Sequence, residues 1–246
     1  MNKQVLKHLE LVGQTGIDWI GKISTLPDSG SVTPLQASTA SVPVEVPGSN
    51  PLGYEGRIKA LELLRGEVSK CVACSALAKT RKQTVFGVGK VDPEICFVGE
   101  APGATEDEVG EPFVGEAGQL LNKILLACGM TREDVYICNI IRCRPPGNRL
   151  PLPDEAANCR KFLETQLGYV HPRVIVCLGA CAAQNLLDTK TPISKMRGSM
   201  HDWRGIPVMC TFHPAYLLRN PEKKKEVWDD MKGLMGFLGR KIPGKP

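Results

Sequence analysis

ICFVGEAPGATEDEVGEPFVGEAGQ (residues 95–119) begins with four apolar residues, Ile95, Cys96, Phe97 and Val98, and then breaks at Gly99-Glu100-Ala101-Pro102-Gly103. Gly110, Gly115 and Gly118 follow, and an apolar pattern of helical spacing begins after them. A short, unbroken apolar run that ends in a glycine turn reads as a buried strand of a parallel sheet. In such sheets ligands bind at the carboxyl ends of the strands. Glycine lets the backbone come close to a ligand, and Pro102 stiffens the turn. Taken alone, the segment suits an ordinary strand-to-helix connection equally well, so its neighbours decide.

Three further runs share the character of the first: Val135–Ile140 (VYICNI), Val174–Leu178 (VIVCL) and Val208–Phe212 (VMCTF). Helical patterns lie between them at Leu120–Cys128, Asp154–Leu167 and Ala180–Leu187, with others at 55–70 and Glu222–Leu238. Alternating strand and helix predicts an α/β fold, a three-layer α/β/α sandwich around a four-stranded parallel sheet. Each strand candidate ends in a turn or a polar group: Gly99-Glu100, Asn139, Gly179, and Phe212-His213-Pro214. Parallel strands put these ends on one edge. Glu100, Asn139 and His213 are therefore expected to share a pocket with the glycine loop.

The chain has 246 residues, enough for one α/β domain and an appendage. No apolar run is long enough to span a membrane, and the apolar pattern of residues 1–22 is interrupted by Glu10 and Asp18, unlike a secretory signal. A cytoplasmic location without membrane association is the expectation. Residues 1–23 read as a short helix or tail with the potential to dock a protein partner. Residues 24–53, with prolines at 27, 34, 43, 47 and 51, read as a disordered Ser/Thr/Pro-rich linker. The folded domain is expected over 54–246. The net charge is +5; residues 1–50 hold a net −1, so the remainder holds +6. That excess permits nucleic-acid binding without demanding it.

Ten cysteines in a chain of this kind argue against a disulfide framework and for a metal or cluster site. Cys71 and Cys74 form a C-x2-C pair, Cys143 sits in the Pro/Gly-rich segment 142–149 and Cys159 in a helical pattern. Together they offer four thiolates, which suit zinc or an iron–sulfur cluster; spacing does not choose between them. The other six, Cys96, Cys128, Cys138, Cys177, Cys181 and Cys210, fall in strands or helices and read as core residues.

The segments Gly99-Glu-Ala-Pro-Gly103, Glu106-Asp107 and Pro112-Phe-Val-Gly115 resemble the first motif of family 4 uracil-DNA glycosylases. YICNIIRCRPPGNR, with Asn139 inside it, is similar to the family's central segment, and His213-Pro-Ala-Tyr-Leu-Leu-Arg-Asn-Pro221 resembles its second active-site motif. Cys71, Cys74, Cys143 and Cys159 match its 4Fe–4S ligands in order and approximate spacing; structural zinc is the alternative. The resemblance covers about residues 55–240. It implies a monomer that hydrolyses the N-glycosidic bond of flipped-out uracil in single- or double-stranded DNA, the first step of base-excision repair. Uracil would be bound by Gly99, Glu100, Ala101, Gly103, Phe113, Asn139 and His213, with Phe113 stacking on the base. Asn139 would read the O4 and N3–H edge, and His213 would donate to O2 as charge grows there. Glu100 would position water, and Glu106 would shape the pocket or share that task. Some related glycosylases carry an aspartate where this chain has Ala101. Leu217, Leu218 and Arg219 would meet DNA, the leucines as an apolar wedge, and Arg149 would hold a phosphate, as would Arg142 and Arg144. A covalent uracil-trapping relative uses a histidine in a loop that here reads Arg144-Pro-Pro-Gly-Asn-Arg-Leu-Pro151 and has none. A zinc-stapled DNA-binding module would not need Glu100, Asn139 and His213 at strand ends.

Overall fold

The computed structural model describes residues 52–243. The expected N-terminal helix and nearly all of the expected linker lie outside these residues. The domain opens with α1 (Tyr54–Ser69) and α2 (Ser75–Thr80). Strand β1 (Val88–Gly89), β2 (Ile95–Gly99), helices α3 (Ala104–Val109) and α4 (Glu116–Ala127), and β3 (Tyr136–Asn139) follow. Next come α5 (Pro153–Val170), β4 (Val174–Leu178), α6 (Ala180–Leu187), α7 (Ile193–Met196), β5 (Met200–Trp203) and β6 (Ile206–Thr211). Helices α8 (Pro214–Arg219) and α9 (Lys224–Phe237) close the domain.

The strands form one six-stranded mixed sheet in the order β1-β3-β2-β4-β6-β5. The inner four, β3, β2, β4 and β6, pair in parallel, while β1 and β5 pair antiparallel at the two edges. The expectation of a four-stranded, purely parallel sheet is thus corrected. The edge strands escape an apolar-run search for physical reasons. Strand β1 is two residues long, and β5 is buried only at Trp203, so neither carries a doubly buried stripe. The β5–β6 hairpin turns on Arg204-Gly205, both at positive φ (54° and 84°), the conformation of a two-residue primed turn.

Every residue of β2 and β4 is buried, which requires cover on both faces of the sheet. On one face Cys96, Val98, Cys138, Ile175, Cys177 and Cys210 join a core with Leu61 and Leu64 of α1, Leu163 and Leu167 of α5, and Leu186 of α6. Burying each such leucine or isoleucine contributes about 1.5–3 kcal/mol. Cys96, Cys138, Cys177 and Cys210 are all fully buried in strands as small apolar residues, and Cys128 is buried too. The register then fixes the functional edge. Gly99 of β2 is level with Asn139 of β3, and Leu178 of β4 with Thr211 of β6. Ile140 N–H donates to Gly99 O (2.9 Å) and Gly179 N–H to Thr211 O (2.8 Å), so the ladder continues to the tips.

Candidate active site

The tips of β2, β3 and β6, three of the four parallel strands, border a cavity of about 440 Å³ lined by Glu100, Ala101, Gly103, Glu106, Phe113, Asn139, His213 and Arg219, among others. Gly99 lies beneath it. A Cβ there would stand 2.5 Å from Asn139 Oδ1 and 2.5 Å from Cζ of Phe113, so the side chains of Phe113 and Asn139 meet over bare backbone. Phe113 is 5% exposed and has φ 55°, the left-handed region that a bulky residue rarely enters. Strain of this kind costs about 1–3 kcal/mol and needs outside support. Arg132 supplies some of it by donating to the carbonyls of Phe113 (2.9 Å) and Pro112 (2.7 Å) and to Asn122 Oδ1 (3.3 Å). Gly118 lets the Phe113 carbonyl press against its Cα. Glu106 supplies the rest: its carboxylate accepts from the backbone N–H groups of Gly103 (3.1 Å), Val114 (2.9 Å) and Gly115 (2.8 Å). Glu106 is thereby the brace of the loop. Arg132 was invisible in the sequence because it lies in a polar turn, 19 residues beyond the carbonyl it holds.

This geometry makes Gly99→Ala a test of the shared floor. The added methyl must displace the Phe113 ring, the Asn139 carboxamide or both. Activity is expected to fall at least tenfold with little change in the cooperative melt. Unchanged kinetics would show that the two side chains need not meet there.

His213 follows β6 and caps α8, with Pro214 in the first helical turn. Its Nδ1 accepts from Ala215 N–H at 3.0 Å, which puts the ring proton on Nε2 and presents a donor to the cavity. Burial, reinforced by the positive charge of Arg219, pushes the imidazole down from 6.5 to about 4, so the ring is neutral at pH 7. Its ring centroid is 5.5 Å from that of Phe113, at 32°. Gly179, at φ 90°, allows this approach: a Cβ there would fall 2.9 Å from the His213 Cβ.

Asn139 is 1% exposed, and its Oδ1 is buried without a hydrogen-bond partner. An orphaned buried acceptor costs about 1–3 kcal/mol, and such groups are rare unless a ligand meets them. Its backbone carbonyl, by contrast, is held by the buried guanidinium of Arg142. Glu100 is half-buried; desolvation raises its carboxyl above the usual carboxylate range, and a hydrogen bond from Cys181 partly opposes the rise. Cys181 itself is half-buried, pushed up to about 12 by burial and by the neighbouring Glu100, so the expectation of a plain core cysteine is corrected there.

The residues expected to touch DNA separate. Leu217 is 1% exposed and packs inward, whereas Leu218 is 43% exposed. Successive helical residues point about 100° apart, so both leucines of α8 cannot serve as one wedge. Leu217 is an anchor, and the exposed apolar tip is Leu218. Arg219 is exposed at the cavity rim. Arg149 also lines the cavity, but its two terminal nitrogens hold Glu155 at 2.8 and 2.7 Å. Arg142 is 1% exposed and therefore out of reach of a phosphate.

Cys71, Cys74, Cys143 and Cys159 line one small second cavity, together with Arg81, Arg142 and Asn158. Arg81 donates to Cys143 Sγ (3.0 Å) and to the Cys71 carbonyl (2.7 Å), and Asn158 Nδ2 lies 3.6 Å from Cys74 Sγ. Donors directed at sulfur suit a thiolate. Burial nevertheless pushes the Cys74 and Cys143 thiols up, a penalty that bonding to iron or zinc would reverse. Among the described residues no three His, Cys, Asp or Glu side chains are gathered closely enough to hold a lone metal ion.

The sequence profile of the uracil DNA glycosylase superfamily matches residues 86–232. The chain is 46% identical over 186 residues to a type-4 uracil-DNA glycosylase of Thermotoga maritima, covering 74% of this chain and 96% of the relative. It is 43% identical over 194 residues to the type-4 enzyme of Archaeoglobus fulgidus, covering 76% and 97%. A type-5 enzyme of Pyrobaculum aerophilum is more distant, 32% identical over 146 residues, covering 52% of this chain and 64% of the relative. With the glycine loop, Asn139 and His213 gathered on one sheet edge inside the matched region, this chain belongs to the uracil DNA glycosylase superfamily, in its type-4 branch.

Proposed function

We propose that this chain is a monofunctional uracil-DNA glycosylase of base-excision repair, hydrolysing the bond between uracil and deoxyribose to leave an abasic site. The observation that carries the reading is the pairing of two polar groups at one cavity: the unpartnered Oδ1 of Asn139 and the Nε2–H of a neutral His213. A flipped uracil would stack on Phe113, and Asn139 would accept from N3–H and donate to O4, an edge that cytosine presents in reverse. His213 would donate to O2, where negative charge collects as the C1′–N1 bond breaks. A neutral donor suits this step, because an imidazolium would yield its proton and would lose the Ala215 hydrogen bond.

Glu100 is the carboxylate we assign to the attacking water and the cationic sugar. It stands at the cavity with no guanidinium or lysine among the causes of its shift, and its desolvated anion attracts positive charge strongly. Glu106 keeps the loop in shape, since both its oxygens already accept backbone N–H groups. Gly99, Ala101 and Gly103 admit the base by their small size. Leu218 would fill the gap in the duplex and Arg219 would hold a phosphate; Arg149 would do so only at the cost of its pairing with Glu155.

The second cavity is read as the site of a 4Fe–4S cluster held by Cys71, Cys74, Cys143 and Cys159. Four cysteines line one cavity, a donor set that suits iron–sulfur or zinc, and their order and approximate spacing match the 4Fe–4S ligands of the family. When bound, the cluster would pin α2, the loop after β3 and α5 together as a structural centre. No helix among the described residues is long and apolar enough to cross a membrane. A monomeric state and a partner for residues 1–22 remain parts of this proposal, to be read from sedimentation and from pull-down with the N-terminal segment.

The test is incubation with single- and double-stranded DNA carrying one uracil, followed by alkali. Free uracil and scission at the uracil position alone are expected. Intact strands, or cleavage before alkali, would overturn the assignment of a monofunctional glycosylase.

A further inference from the structure

Arg142 is an unexplained expense in this fold. It is 1% exposed, makes no ion pair among the described residues, and its Nε–H has no acceptor. Its terminal nitrogens donate only to neutral groups, the Asn139 carbonyl and Gln166 Oε1. Gln166 is in turn committed to the Phe86 carbonyl (3.0 Å) and the Tyr136 hydroxyl (2.8 Å). Cys96, Tyr136 and Cys138 feel the positive charge of Arg142, and none of the three is a carboxylate. Glu155 shares the cavity wall with Arg142 but is already paired with Arg149. A permanently charged guanidinium buried among neutral acceptors is strongly disfavoured unless an anion faces it. The cavity that Arg142 lines beside Cys143 offers a place for such an anion. Arg81 stands at the same cavity and already donates to Cys143 Sγ at 3.0 Å.

We infer that Arg81 and Arg142 are the built-in counter-charge of the group held by the four cysteines, with Arg142 serving as the bridge from that group to the base-reading residue Asn139. The inference rests on the cluster reading given above. Four thiolates around a cubane of four irons and four sulfides leave the resting centre a dianion. Two buried or half-buried guanidiniums balance it, whereas a zinc ion with the same four thiolates would carry equal charge but no inorganic sulfide for Nε–H to meet. Arg142 also donates to the carbonyl of Asn139, three residues away. The charge that neutralises the cluster therefore fixes the backbone that presents the carboxamide.

The experiment compares the iron-loaded wild type with Arg142→Gln, Arg142→Lys and Arg81→Gln, following loss of visible absorbance in excess chelator and the midpoint potential of the centre. Removing a positive charge disfavours the more negative, reduced form. Arg142→Gln should therefore lose iron at least tenfold faster and shift the potential to more negative values by about 60 mV, a tenfold change for one electron. Arg142→Lys, which keeps the charge and loses the fork, should stay near the wild-type potential while releasing iron faster. Wild-type release rate and potential in Arg142→Gln would overturn the inference with the cluster reading intact. Wild-type protein that carries zinc or no metal would overturn the cluster reading itself. If Arg142→Gln fails to fold, Arg81→Gln decides: faster release and a lowered potential sustain the counter-charge, and unchanged values overturn it.

Discussion

His213→Ala should lower kcat on uracil-containing DNA by about 100- to 1000-fold while leaving DNA affinity within a few-fold of wild type. The magnitude is that of removing one donor aimed at a developing oxyanion, and the donor acts more in the transition state than in the ground state. The preset tautomer is what makes the donor effective. Ala215 N–H occupies Nδ1 at 3.0 Å, so no reorganisation is needed when charge reaches O2. His213→Gln, which retains a donor without that anchoring, should fall between the two. A pH profile separates His213 from Glu100. With the imidazole pushed down to about 4, His213 stays neutral across the neutral range, so no inflection near 6.5 should appear. The acid limb should instead follow Glu100, whose raised carboxyl must be ionised to act; the rate falls as pH drops through its pKa, and Glu100→Gln should abolish that limb. Stability carries its own signature. The unfolded chain binds a proton at His213 below about 6.5 that the folded chain refuses until about 4, so His213 makes the fold less stable as pH falls through that window. The His213→Ala variant should lose that part of the slope. A full-rate His213→Ala enzyme would remove the imidazole from the reaction.

The inner sheet was legible because doubly buried strands leave an unmistakable trace: β2 and β4 are apolar at every position before the terminal glycine or helix. The shared edge came with them, since Gly99 and Asn139 each sit near the end of an apolar run; that they stand level is visible only in the structure. Other features had no such trace. Edge strand β5 is mostly exposed, and its best clue, Arg204-Gly205, is a two-residue turn that an apolar-run search passes over. Leu217 and Leu218 look alike in sequence; only the orientation of α8 buries one and exposes the other. Arg142 and Arg149 stood among arginines that suggest phosphate, yet one is buried and the other ion-paired. Charge count does not reveal which cations are already spent. In sequence Glu106 reads as an acid that shapes the pocket or shares in positioning water, and only three backbone N–H distances show it bracing the Phe113 turn. Cys181 reads as a core residue in sequence because its contact with Glu100 joins the ends of separate strands.

Asn139→Ala should reduce kcat/KM for uracil by about 3 kcal/mol of lost hydrogen bonding, on the order of 100-fold, and should erode discrimination between uracil and cytosine. The reason lies in how little else contacts the polar edge of a base. Phe113 and the glycine loop offer flat or small surfaces that any pyrimidine can meet, so selectivity falls to one carboxamide. Its acceptor is buried without a partner in the free protein, and a matching N–H relieves that penalty only when uracil enters. Asn139→Asp keeps the shape but replaces the donor with a carboxylate oxygen that faces O4, so it should lose more activity on uracil than Asn139→Ala. Duplex affinity should stay near wild type in both variants, because phosphate contacts supply most of it and Arg219 is untouched. The discriminating measurement is single-turnover release from uracil-DNA and cytosine-DNA side by side. If Asn139→Ala retains both its rate and its preference for uracil, base reading must reside in the backbone of residues 99–103, and the buried carboxamide would be a structural brace.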